Sequence, residues 1–167
     1  MRKKIFILVV VVGAVLTITG CGTKPTDSNS VSAIYQELSF NIPDYLEKSQ
    51  KIEGDTDFYH WDDADGERKN SCSLSIFAST DYGTSKEEKV KRDLEIYGGT
   101  SDEITITTKK INGTEWTIGS YTRGNTTYFK YLTSHNGKVY TVSYDDVGSG
   151  NICGEAFDII SNSLKFN

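Results

Sequence analysis

Histidine, proline and methionine are scarce in this chain of 167 residues, which holds two, two and one of them. The histidines, His60 and His135, belong to no His-x-x-x-His or Glu-linked spacing, so the usual zinc-ligand patterns are absent. No serine sits in a nucleophile elbow. Basic residues are outnumbered, 18 against 23 acidic, giving a net charge of −5 and a poor surface for neutralising phosphates. The sequence therefore predicts no nucleic-acid partner, no metal, no cofactor and no catalytic residues. No apolar run reaches the roughly 20 residues that span hydrocarbon. The longest, at residues 5–16, stops short, and no internal repeat is present.

What is present begins with a leader. Arg2, Lys3 and Lys4 precede the apolar run, and Thr19 and Gly20 follow it as small residues. This is the three-part layout of a secretory signal; an uncleaved membrane anchor is the alternative, against which the short run argues. Ile18-Thr19-Gly20-Cys21 resembles the bacterial lipobox, an aliphatic residue and two small ones before a cysteine. The resemblance is confined to the start of the chain, and a chance cysteine behind an ordinary signal is the other reading. It implies that a diacylglyceryl group alkylates the Cys21 thiol and that a peptidase cuts between Gly20 and Cys21. It also implies a lipid anchor at the extracytoplasmic face of the cell membrane. Two acyl chains hold firmly where one is marginal, at about 0.8 kcal/mol per buried methylene.

Without the leader, 15 basic residues remain against 23 acids, a net charge of −8. Such a domain is mildly repelled by anionic head groups, although acidity also serves simply to keep it soluble. Residues 21–34 are mostly small and polar and read as a flexible tether. A single domain is expected over 35–167.

Within it, residues 35–42, 57–61 and 70–78 have strand periodicity. Cys72, Leu74, Ile76 and Ala78 alternate with Ser71, Ser73 and Ser75, the pattern of a half-buried antiparallel strand. Ser85 and Glu88 form a capping-box pair, Val90, Leu94 and Tyr97 make one stripe, and Gly98-Gly99 stops the helix. Asn112-Gly113 and Asn136-Gly137 predict two tight hairpins, joining 103–111 to 114–122 and 126–133 to 138–145. Residues 152–164 carry a helical stripe of Cys153, Phe157, Ile160 and Leu164. The fold class is α+β, an antiparallel sheet of six to seven strands flanked by two helices.

Phe40-Asn41-Ile42-Pro43, the helix between two strand groups, the strand from Gly137 to Val142 and the closing Ser163-Leu164-Lys165-Phe166 together resemble the PsbP-like family. The resemblance implies a sheet flanked by helices and a non-enzymatic binding or assembly role, and no catalytic residue is carried over. The expected partner, besides the membrane, is an envelope protein or a small ligand. Two other functions stay open: an envelope hydrolase using the acids of 62–67 or a histidine, and a passive surface protein.

Several residues carry two readings. Asp62, Asp63 and Asp65 before Gly66 suggest calcium, but placing Gly66 at the sixth position of an EF-hand loop puts Trp61 first and Cys72 twelfth, which cannot ligate. A solvated Asp-Gly turn explains them. Cys72 and Cys153 both fall on apolar stripes, so they either pair as a disulfide or stay as buried thiols. Tyr121, Tyr128 and Tyr131 form either a binding face or ordinary sheet packing.

Overall fold

The computed structural model describes residues 29–49, 55–62, 70–148 and 154–167. Asn112 and Gly113 have φ of 44° and 89°, and Asn136 and Gly137 have 48° and 75°. Left-handed backbone at both central positions is what a type I′ turn needs. The first turn joins β6 (Thr105–Ile111) to β7 (Thr114–Arg123), and the second joins β8 (Thr126–His135) to β9 (Lys138–Val147). β9 returns beside β5 (Ser71–Thr80), followed by β4 (Thr56–Asp62) and β3 (Glu47–Lys48). The result is a seven-stranded antiparallel sheet in the order β3-β4-β5-β9-β8-β7-β6.

Helix α1 (Lys86–Ile96) carries the chain from β5 to the far edge at β6, lying over β6, β7 and β8. Ser85 Oγ accepts the Glu88 amide at 3.4 Å, and among the described residues the reciprocal bond of a full capping box is not made. Along the helix Lys89 pairs with Asp93 one turn on, at 3.3 Å. At the other end Gly98, at φ 93°, donates to Glu95 O and Gly99 donates to Leu94 O, a Schellman stop. Only Val90 and Leu94 of this helix are buried, against Gly119 of β7. A side chain at Gly119 would overlap Val90 Cγ1 and Leu94 Cδ1, so glycine there sets how closely the helix approaches the sheet.

A second sheet was not legible beforehand. β1 (Ser30–Tyr35) and β2 (Leu38–Pro43) form a hairpin, and β10 (Lys165–Phe166) adds to its other edge. The expected tether, 21–34, thus gives up its last five residues to β1. Val31, Ala33 and Tyr35 alternate toward Ile42, Phe40 and Leu38, but small residues hid that period. The turn rests on Gln36 at φ 52°, a residue type that announces no turn. Helix α2 (Gly154–Ser163) buries Ala156, Phe157 and Ile160.

The two faces of the large sheet hold separate cores. On one, Cys72, Leu74, Ile76, Tyr140, Val142, Tyr144, Trp116 and Tyr131 pack against α2 and the small sheet. On the other, Val90 and Leu94 of α1 pack on Tyr121, Leu132 and Val139 of the sheet. Each fully buried Leu, Ile or Val contributes about 1.5–3 kcal/mol. The larger core is therefore where most of the stability resides.

Candidate functional site

The start of α1 and residues of β6, β7 and β8 border an open cleft of about 560 Å³. Its walls are mostly polar, with hydroxyls from both the helix cap and the strands. Three of those hydroxyls have internal partners. Ser85 Oγ caps α1, Ser134 Oγ donates to Asp81 Oδ2 at 2.6 Å, and Thr133 Oγ1 donates to Glu115 O at 2.6 Å. Asp81 also accepts the Gly83 amide at 2.9 Å, and these bonds hold its carboxyl below the ordinary carboxylate value.

Thr108, Thr114 and Thr117 differ. Thr108 and Thr117 stand opposite each other across β6 and β7, and none of the three hydroxyls has a partner among the described residues. Thr117 is only 7% exposed. Lys86, Glu87 and Glu115 complete the rim, and none of them forms an ion pair among the described residues. Because Ser85 takes the Glu88 and Lys89 amides, the Lys86 and Glu87 amides remain as first-turn donors. No sequence signal singled out this cleft, since threonine in a strand is ordinary.

The residues named from sequence are dispersed. His60 is exposed and stacks on Phe58 at 6.0 Å. With Glu47, Asp62, Tyr45 and Trp61 it lines a cleft of about 130 Å³. No hydrogen bond or ion pair joins His60 to a carboxylate among the described residues. Tyr45 is pushed up to about 12, first by burial and then by the Glu155, Asp146 and Asp44 charges, so it holds its proton at neutral pH. That small cleft is well below the roughly 300–1,000 Å³ usual for small-molecule sites.

His135 sits far from those acids. Its Nε2 lies 3.3 Å from Glu37 Oε2, and its ring stacks on Phe166 at 4.0 Å. Asn136 Nδ2 also donates to Glu37 Oε2, and Lys138 Nζ donates to Gln36 Oε1, both at 2.9 Å. These contacts clasp the β1–β2 turn to the β8–β9 turn, which is a structural role.

Asp62 ends β4 opposite Ser71, while Asp63, Asp65, Gly66 and Glu67 lie outside the described residues. Among the described residues no His, Cys, Asp or Glu cluster could hold a metal, and no helix is long and apolar enough to cross a membrane. Cys72 is buried and is a half-cystine, and both Cys153 and Cys21 lie outside the described residues. The tyrosines divide between faces. Tyr121 stacks on Tyr128 at 4.8 Å under α1, whereas Tyr131 packs with Trp116 and Phe157 in the larger core. Sheet packing accounts for all three.

Charged groups are also drawn under the edge of α1. Lys130 is buried, 3.5 Å from Asp93 and 5.4 Å from the centre of the Tyr97 ring. Burial pushes its ammonium down from the usual lysine value, and Asp93 opposes this. Burial likewise pushes the Asp145 carboxyl up, against the Ser73 hydroxyl at 3.4 Å and the Lys130 charge. A raised folded-state pKa contributes stability that is complete below the unfolded value and lost as pH rises through the folded one. Asp145→Asn removes the charge that burial disfavours. Thermal unfolding should show it melting above the parent at neutral pH, with the gap closing below the carboxylate range. A variant that melts below the parent at neutral pH would mean that the Lys130 attraction outweighs burial.

No family model and no curated protein matches the sequence. Among solved structures, the solution structure of cyanobacterial PsbP (CyanoP) from Synechocystis sp. PCC 6803 is similar over 90% of this chain and 99% of its own. The TM-score is 0.56 at 15% identity, which shows a shared PsbP-like fold. A Bacteroides thetaiotaomicron VPI-5482 structure matches at TM-score 0.47 and 14% identity, over 85% of this chain and 49% of its own.

Proposed function

We propose that the chain is a non-catalytic binding or assembly module, tethered by lipid on Cys21 to the extracytoplasmic face of a cell membrane. The observation that carries the binding reading is the polar cleft at the start of α1, lined by the Thr108, Thr114 and Thr117 side chains. Such preformed polar groups orient a ligand, whereas chemistry would need a hydrogen-bonded acid–base or nucleophile pair. The PsbP-like fold supports the same reading.

The tether is supported by Ile18-Thr19-Gly20-Cys21 directly behind an apolar leader. With β1 starting at Ser30, the chain between the lipid and the fold reaches at most about 30 Å when extended. The module therefore works close to the bilayer, on an envelope protein or a small ligand near its surface. The rival hydrolase rests on His60 and Asp62 sharing one small cleft. Affinity capture from solubilised membranes, with mass analysis of anything the pure domain retains, should recover the same envelope partner or ligand each time. Repeated recovery of neither would contradict the binding reading.

With Cys21 carrying lipid, the half-cystine at Cys72 has Cys153 as its one remaining partner. Removing such a bridge typically costs about 2–5 kcal/mol. Non-reducing peptide mapping should recover the two cysteines in one linked fragment; two free thiols would refute the pairing.

A further inference from the structure

At the opposite end of β8 from the polar cleft, beside the start of α2, lies a second cleft of about 310 Å³. Strand register builds it. Thr127 of β8 stands opposite Asp146 of β9, and two residues along Phe129 stands opposite Tyr144, so all four side chains point to the face that α2 covers. Helix α2 adds Phe157, whose ring stacks on Phe129 at 4.3 Å and on Tyr144 at 4.9 Å, and Asp158 beside it. The walls are thus three aromatic rings and two carboxylates, and no Lys, Arg or His lines the cleft among the described residues.

Asp146 is half-buried, and no hydrogen bond or ion pair reaches its carboxylate among the described residues. Burial alone pushes that carboxyl up from its ordinary value. A partly desolvated carboxylate without a partner is costly, and the chemistry around it decides what offsets the cost. An anion would meet Asp146 and Asp158, and Glu155 adds a third negative charge to the first turn of α2. A metal ion would need three or more ligating groups, and no such cluster exists among the described residues. An uncharged apolar molecule would leave Asp146 unpaired. An organic ammonium ion suits both parts of the wall, since its charge pairs with the carboxylates and its carbon groups lie on ring faces that attract a cation. We infer that this cleft binds a small organic ammonium ion, with Asp146 as its counter-charge and the Phe129, Tyr144 and Phe157 rings as its apolar wall. The site shares no residue with the cleft at the start of α1, so the two readings stand or fall separately.

The test is an NMR titration of the purified protein with choline, with butylammonium, and with the neutral carbon analogue of choline in which a tert-butyl group replaces trimethylammonium. Saturable shifts of the Phe129, Tyr144, Asp146 and Phe157 amides with an ammonium ion are the expected result, with the methyl protons of bound choline moved upfield by the rings. The neutral analogue should bind about tenfold more weakly. Asp146→Asn keeps the shape and removes a charge that burial disfavours, so it should melt no lower than the parent while binding choline about tenfold more weakly. Phe129→Leu keeps an apolar wall without a ring face and should cut choline affinity about threefold. Displacement of bound choline by phosphatidylcholine vesicles, read on the Cys21→Ser protein, supports the site with a lipid head group as the source, and no displacement supports it with a free ligand. Flat spectra with both ammonium ions overturn the inference. So does a neutral analogue that binds as tightly as choline, or calcium shifting these amides where the ammonium ions do not.

Discussion

Replacing Trp116 with alanine should remove about 3–5 kcal/mol of folding stability, out of the roughly 5–15 kcal/mol that a domain has in total. Trp116 is fully buried where β7 meets the small sheet, with its ring nearly parallel to Phe166 at 6.1 Å and edge-on to Tyr131 at 6.4 Å. It joins the large sheet to the C-terminal strand, so truncation opens a cavity between two layers that cannot close by moving one side chain. Its Nε1 has no hydrogen-bond partner among the described residues. Trp116→Phe should be much milder than Trp116→Ala, because both remove the unpaired buried donor but phenylalanine keeps a ring in the space that alanine empties. Urea unfolding followed by circular dichroism measures both. A loss of less than about 1 kcal/mol for the alanine variant would mean that the two layers are not coupled through this ring.

The same ring shows where sequence reasoning reached and where it stopped. Asn112-Gly113 and Asn136-Gly137 have one cheap geometry, so those two hairpins, β6 with β7 and β8 with β9, follow from local chemistry. Ser85 and Gly98-Gly99 bound α1 for similar reasons. The β1–β2 hairpin has no such punctuation. Gln36 is held at positive φ by its surroundings, since its Nε2 donates to an Asp55 carboxylate and its Oε1 accepts from Lys138. A residue conformation fixed by groups far along the chain leaves no local trace.

The candidate site was still less legible. Thr108, Thr117 and the start of α1 come together only because α1 crosses from β5 to the edge strand β6. Taken singly, each threonine is an ordinary strand residue. Of the histidines and acids that drew attention as rare or clustered, His135 lies in a clasp between turns, His60 shares a small cleft with Asp62, and Asp63, Asp65 and Glu67 lie outside the described residues.

The second large effect concerns Cys21. On the proposed lipidation of Cys21, two acyl chains of many methylenes, at about 0.8 kcal/mol for each one buried, would make membrane attachment effectively complete, whereas the net charge of −8 left by cleavage would give the domain no attraction of its own to an anionic surface. One substitution should thus move the protein from almost wholly membrane-bound to soluble, or halt it as an uncut precursor. Cell fractionation with intact-mass analysis of the parent and of Cys21→Ser measures this directly. The account predicts a parent found in membranes, beginning at Cys21 and heavier by its lipid, and a Cys21→Ser variant that is released or retains its first 20 residues. A parent without added mass, or a variant that partitions into membranes as the parent does, would contradict it.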